Sequence, residues 1–315
     1  MLTFLLKKLP SVLMVAIASS VIAFVLPRLA PGDPAVALAG SDASPEQLAA
    51  VRDQLGLNGS LYEQYFHWIW NLLHGDLGRS FAMRRPVATL ISSRLESTIE
   101  LAALALVLMI IIGFTLGILS ATLRNQTTKA ALDVVNTICL ATPPFLIGLL
   151  LILLLGIAFP ILPVSGEMGL LRDPVKGLQY LILPAFALAL PQAAVVARLL
   201  ATAINSVRGE DFIDLAKAKG VPPGRLMRRH LLRNSLGPAI VAIGLRAGEL
   251  LGGAIVIEAI FARNGLGQLA VSSVQNRDYL VLQALILGAV LIAVLIQLLS
   301  EITIAALDPR IRLEG

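Results

Sequence analysis

The 315-residue chain is 57% hydrophobic and only 14% charged, with a mean hydropathy of +0.83; an ordinary soluble domain carries roughly 25% charged residues, so water alone is excluded as its solvent. The formal net charge is +5, but the basic residues gather in short segments between apolar runs, a placement that serves membrane orientation and argues against a nucleic-acid partner. The single cysteine, Cys139, lies inside an apolar run, which excludes an intrachain disulfide and a paired-cysteine metal or redox site.

A bilayer core of about 30 Å takes about 20 apolar helical residues, and runs of that length divide the chain into an all-α polytopic membrane protein with six spans. Residues 1–8, with Lys7 and Lys8, read as a cytosolic N-terminus ahead of the first span, 9–27. That run also has the basic flank of a secretory signal, with small residues following at Ala35, Ala37 and Ala39. It is longer than the roughly 7 to 15 residues of a signal core, so an uncleaved anchor is expected.

Residues 28–96 form an extracytoplasmic connection that contains two helix starts. Ser44-Pro45-Glu46-Gln47 predicts an N-cap with proline at the first helical position and an end near Gly56. Ser60 and Glu63 predict a second capping box before Tyr65, Phe66, Trp68, Trp70 and Leu73. A small helical cap is expected; its aromatic cluster suits an interfacial belt at headgroup level, with solute binding as the alternative.

The second span is 97–123, followed by a cytosolic loop at 124–133 with Arg124 and Lys129. A third span at 134–160, an outer loop at 161–177 and a fourth span at 178–204 come next. The longest cytosolic loop, 205–235, carries Arg208, Lys217, Lys219, Arg225, Arg228, Arg229 and Arg233. A fifth span at 236–261, an outer loop at 262–278, a sixth span at 279–303 and a tail at 304–315 with Arg310 and Arg312 complete the chain. Cytosolic loops retain Lys and Arg, so both termini are expected inside. Pro143, Pro144, Pro184, Pro191 and Pro238 are expected to bend spans three to five, each removing a helix hydrogen bond.

The fifth span is the charged one. A charge at mid-bilayer costs about 2.5 to 3.5 kcal/mol on insertion scales, and at about 1.5 Å per residue from Leu236, Arg246 falls near the midplane. Glu249 lies one turn along and can pair with it. The two are either a self-neutralising pair facing the bundle or one wall of the solute path. Glu258 is expected at the outer surface, cheaply solvated, as a candidate outer gate.

Within 205–235 the segment VRGEDFIDLAKAKGVPPGRLMRRHLLRN predicts an elbow. Glu210 and Asp211 open a short helix and Lys217 and Lys219 close it, each charge complementing the helix dipole, and Gly220 suits a left-handed C-terminal cap. Val221-Pro222-Pro223-Gly224 turns the chain, after which Leu226, Met227, His230, Leu231 and Asn234 recur at helical spacing. Such an elbow is either a basic loop held by anionic membrane lipid or a docking knob. In the second reading, small Ala216 and Ala218 and the Gly220 turn admit it to a cleft, and Phe212, Ile213 and Leu215 supply apolar contact.

The order DFIDLAKAKGVPPGRLMRRHLLRN resembles the cytosolic loop of ABC importer permeases of the dipeptide, oligopeptide and nickel subfamily. The resemblance continues through Pro31-Gly32-Asp33-Pro34, Gly75-Asp76-Leu77-Gly78 with Ser80, Thr98-x-Glu100-Leu101 and Thr142-Pro143-Pro144-Phe145. It runs on through Gly252-Gly253 to Glu258 and Phe261, Gly265-Leu266-Gly267, Arg277-Asp278-Tyr279 and Leu307-Asp308-Pro309-Arg310-Ile311-Arg312. Two departures stand out: Arg263-Asn264 replaces the usual aromatic-Pro pair, and Arg233 stands where the general importer motif has Pro.

The resemblance implies the type I ABC importer permease fold in a bacterial plasma (inner) membrane. It implies as partners a homologous second permease, two cytosolic ATPase subunits that bind ATP and Mg2+, and an extracytoplasmic solute-binding protein, contact with which is the alternative to the outer-gate role of Glu258. It makes Asp211, Phe212, Ile213, Asp214, Leu215, Ala216, Ala218, Gly220, Arg229, His230, Arg233 and Asn234 the candidate ATPase-coupling residues, with 211–224 as a lever on spans four and five.

The sequence holds no GxxxxGK[ST] loop to cradle phosphate, so the chain is not its own ATPase and binds no cofactor. No protease or hydrolase motif occurs either, and His67, His74 and His230 read as surface or interface residues with no metal site. A non-catalytic permease for di- and oligopeptides is expected, its specificity largely delegated to the binding protein. Nickel or another small solute carried by the same architecture is the alternative, though the spans lack a His or Cys ligand cluster. An ion-coupled secondary transporter would call for paired broken helices and several midplane acids in repeated halves.

Overall fold

The computed structural model describes residues 2–29, 34–39, 43–54 and 56–307; Pro31-Gly32-Asp33 and the signature at 308–312 lie outside the described residues. In chain order the helices are α1 (Leu2–Leu29), α2 (Pro34–Ala39), α3 (Pro45–Gln54), α4 (Leu61–Leu73), α5 (Val87–Thr122), α6 (Gln126–Ala141) and α7 (Pro144–Leu151), which runs into a π-helical turn at Ile152–Ala158. There follow α8 (Pro174–Arg208), α9 (Asp211–Ala218), α10 (Pro223–Arg225) with a π-helical stretch Leu226–Leu232, α11 (Arg233–Ile260), α12 (Leu266–Gln275) and α13 (Tyr279–Leu307). The chain forms two compact units, one of Met1–Thr98 with Asn264–Val294 and one of Ile99–Arg263 with Leu295–Gly315.

In the first unit the local signals produce the helices they encode. At α3 the Ser44 amide donates to Gln47 Oε1 at 2.9 Å and the Gln47 amide to Ser44 Oγ at 3.3 Å. At α4 Ser60 and Glu63 close a reciprocal capping box, and those hydrogen bonds from Ser60 hold the Glu63 carboxyl below its ordinary pKa. The aromatic cluster of α4 divides by helical face. Trp68 is buried and Tyr65 half-buried, packing on Phe24 of α1 with the Tyr65 ring 5.3 Å from it, whereas Tyr62, Phe66 and Trp70 are exposed.

Two motifs far apart in sequence meet here. Gly75 and Gly78 take φ of 81° and 78°, left-handed values that favour glycine, and the turn delivers Ser80 Oγ onto the buried Asp278 Oδ2. The Ala82 amide donates to the same oxygen at 3.3 Å. Thr98 Oγ1 likewise accepts from the Leu266 amide at 2.8 Å, in the first turn of α12.

The second unit is built around α8, whose Leu181, Leu183, Leu188, Val196 and Leu200 are fully or almost fully buried. Small residues let its neighbours approach. A Cβ on Gly113 of α5 would lie 2.9 Å from Val196 Cβ, and one on Gly253 of α11 would lie 2.7 Å from Leu188 Cδ1. Pro184 and Pro191 sit inside a continuous α8, and Pro238 inside α11.

Five helices, or six candidates if the α6–α7 pair counts as one, are long and apolar enough to cross a membrane among the described residues. That pair covers the third span, expected over 134–160 with a bend at Pro143 and Pro144: the chain bends by 109° between Ala141 and Pro144. Thr142 is extended at φ −93° and ψ 123°, because Pro143 disfavours the helical region for the residue before it and Pro144 has no N–H to continue the ladder. Helical backbone runs from Pro223 to Ile260, taking in the helical spacing of Leu226 to Asn234 ahead of the fifth span.

Candidate functional site

The elbow is built from the end of α8, the short α9 and the start of the helix from Pro223. Gly220 has φ +72° and closes α9 with its own amide donating to Lys217 O at 2.9 Å and the Val221 amide to Ala216 O at 3.1 Å. This paired pattern satisfies carbonyls that the last helical turn leaves unbonded. No atom lies within 4 Å of where a Gly220 Cβ would sit. The turn therefore requires glycine for its backbone conformation and not for want of room within the chain.

The α9 helix presents two unlike faces. Ile213 is 0% exposed and Ala216 8%. Ile213 belongs to a core cluster with Ala121 at the end of α5, Leu200, Ala201 and Ile204 of α8, Leu231 of the π-helical stretch and Ala239 of α11. Phe212 and Leu215 point the other way, 43% and 57% exposed. Of the three apolar residues expected to offer contact, Ile213 spends its side chain on its own chain, and Ala216 faces inward with it.

Asp211, Asp214, Ala218 and Gly220 are exposed, with Asp214 accepting from Lys217 Nζ at 2.8 Å. Arg229, Arg233 and Asn234 are exposed on the first turns of the following helix and His230 is half-buried; Asn234 Nδ2 donates to the His230 carbonyl at 2.7 Å. Arg208 at the end of α8 donates to the Ala121 carbonyl at 2.7 Å, tying α8 to the end of α5 beside the same cluster.

On α11, Arg246 Nη1 donates to both Glu249 oxygens at 2.7 and 2.6 Å, so the two charges neutralise each other within one helical turn. Glu258 departs from expectation. It is 0% exposed rather than solvated. Beside it Arg263 is 1% exposed, its backbone amide donating to the Glu258 carbonyl at 2.9 Å. The Arg263 guanidinium lies 3.7 Å from Glu100 and 4.0 Å from Glu167. Burial pushes the Arg263 pKa down, and the charges of Glu167, Glu100 and Glu258 push it back up. Glu100 also accepts from the Leu170 amide at 2.8 Å. One buried cation thus holds α5 at Glu100, the connection before α8 and the end of α11.

Residues 113–313 match the family described as the binding-protein-dependent transport system inner membrane component, and residues 1–102 match that system's N-terminal membrane component. The chain belongs to this family. The glutathione transport system permease protein of Escherichia coli K12 is 37% identical over 312 residues, covering 99% of each chain. A probable peptide ABC transporter permease protein of Sinorhizobium fredii is 35% identical over 309 residues, covering 98% of this chain and 99% of the relative.

Among solved structures, the MetNI methionine ABC transporter in an inward-facing conformation aligns with a TM-score of 0.57 at 17% identity, over 70% of this chain and 96% of that one. An amino acid ABC transporter gives 0.51 at 18% identity, over 71% and 94%. These neighbours share the type I importer fold. The chain is a non-catalytic, multi-pass inner membrane permease subunit of an ABC importer.

The permease's buried charge cluster was not assembled from sequence. Glu100 stood out within Thr98-x-Glu100-Leu101, and Arg263 as a departure from the family's aromatic-Pro pair, but they are distant in the chain. The available signal was charge balance: an arginine substituted beside the end of an apolar span needs carboxylates nearby if it is to be buried.

Proposed function

We propose that the permease admits di- and oligopeptides, and that α9 is the handle by which a cytosolic ATPase subunit moves it. The observation that carries the coupling reading is the division of α9 into a face locked into its own core by Ile213 and a face that leaves Phe212 and Leu215 exposed. A merely solvated basic loop has no use for two exposed large apolar side chains beside each other on one short helix. Because Ile213 packs in one cluster with parts of α5, α8 and α11, a push on Phe212 and Leu215 is transmitted to three long helices at once.

In this reading Asp211, Asp214, Ala218 and Gly220 shape the docking knob, and Arg229, His230, Arg233 and Asn234 extend it along the next helix. ATP and Mg2+ are bound by two partner ATPases, a homologous second permease completes the path, and an extracytoplasmic binding protein supplies the cargo. Both termini face the cytosol. Arg246 and Glu249 line the path as a neutral pair, and Glu258 acts within the Arg263 cluster as part of the outer gate. Peptide cargo is supported by the names of relatives matched over nearly their whole length.

The test is uptake of defined dipeptides and tripeptides, and of nickel, by the importer reconstituted with both permeases, the ATPases and the binding protein. Peptide uptake that requires the ATPases is expected; uptake undiminished when they are omitted, or uptake of nickel alone, contradicts the proposal.

A further inference from the structure

The first unit has a cleft, open to one side, of about 380 Å3 among α1, α4 and the start of α13, a volume in the range of sites that take small organic ligands. Two polar side chains lining it are under-satisfied. Gln283, in the second turn of α13, is 0% exposed, and neither its Nε2 nor its Oε1 has a hydrogen-bond partner among the described residues. A buried amide left in that condition is costly, and an apolar residue of similar length would avoid the cost.

Arg28, half-buried at the end of α1, donates Nη1 to the Phe24 carbonyl at 2.7 Å and Nη2 to Gln64 Oε1 at 3.2 Å, and lies 3.6 Å over the Phe24 ring. No carboxylate among the described residues forms an ion pair with it. A partly buried guanidinium with donors to spare, and a buried amide with donor and acceptor both unused, border the same space. The buried Trp68 and the exposed carboxylates of Glu63 and Asp76 also line it.

We propose that this cavity binds the carboxyl-terminal end of a short peptide. Arg28 takes the terminal carboxylate, Gln283 pairs with the last peptide unit through one donor and one acceptor, Trp68 packs on an apolar side chain, and Glu63 and Asp76 offer acceptors to an ammonium group. A phosphatidylethanolamine headgroup also carries an anion and an ammonium, but lacks the amide whose N–H and C=O match both ends of the Gln283 side chain. The inference takes its ligand class from the peptide reading of the cargo and adds a station on the permease itself, separate from the binding protein.

The test is equilibrium dialysis of the assembled importer in nanodiscs, without binding protein or nucleotide, against radiolabelled alanylalanine and against its C-terminal amide. Saturable binding of the free acid, at least tenfold tighter than of the amide, is expected. Gln283→Leu should weaken binding at least tenfold while leaving Tm unchanged or raised, since it removes an unpaired amide, and Arg28→Gln should erase the preference for the free acid. No saturable binding by the wild type, or binding indifferent to both substitutions, overturns the proposal. Retention of phosphatidylethanolamine by the wild type and not by Gln283→Leu, with no dipeptide bound, assigns the cavity to a lipid and overturns it equally. Because binding is read without ATP or uptake, its failure leaves the cargo reading intact, while failure of peptide uptake by the full importer bears on the cargo alone.

Discussion

Truncating the exposed face of α9 should weaken the attachment of the ATPase without weakening the fold. Phe212 and Leu215 are 43% and 57% exposed, and complete burial of such a side chain is worth about 1.5–3 kcal/mol. Covering the half that remains contributes about 1 kcal/mol each, so the double substitution Phe212→Ala with Leu215→Ala should cost about 2 kcal/mol of docking. At about 1.4 kcal/mol per factor of ten, that is a loss of affinity on the order of 30-fold. Surface truncations away from core contacts change stability by no more than about 0.5 kcal/mol, so Tm should hold. The assay is titration of the permease pair in nanodiscs with its purified ATPase subunit. An unchanged Kd for the double variant would refute the assignment of this face, and a fall in Tm of several degrees would show that the two side chains serve the fold instead.

Ile213→Ala should do the reverse, costing about 2–5 kcal/mol of stability as an unfilled core site, read as a lower Tm, because Ile213 is 0% exposed. Gly220→Ala and Gly220→Arg should lose coupled uptake to similar extents, each paying about 1–2 kcal/mol for an L-residue at φ +72° in open space; a large difference between them in uptake or Tm would point to crowding instead. Arg263→Met should destabilise the second unit by about 3–5 kcal/mol, since it strands Glu100, Glu167 and Glu258 without their buried cation; a Tm equal to wild type would contradict the cluster. Gly253→Leu should lower Tm and uptake together, because even a Cβ there meets Leu188 Cδ1 at 2.7 Å.

What the sequence disclosed was largely what is decided within a few residues. Ser44 with Gln47 and Ser60 with Glu63 start helices because a side chain three positions away satisfies the free amides, and Gly220 ends one because its φ is left-handed. The Pro143-Pro144 pair announced a bend, but a 109° break depends on two consecutive residues that cannot carry the ladder and on how α7 then packs against α8. In α9 the spacing already pairs Phe212 with Leu215 and Ile213 with Ala216. Which pair turns inward is decided by Leu200, Ile204 and Leu231, all distant in sequence. Depth counting placed Glu258 near the end of its helix, yet it is buried and shares Arg263 with acids on two other segments, information that one-dimensional spacing does not contain. The meeting of Ser80 with Asp278, 198 residues apart, was visible only as two separate motifs.

Photocrosslinking from single positions on α9 in the assembled importer tests the coupling claim most directly. A benzophenone side chain at position 212 or 215 should capture an ATPase subunit, while one at 213 should capture only this chain. Capture of lipid alone from 212 and 215, or of an ATPase from 213, would contradict the account.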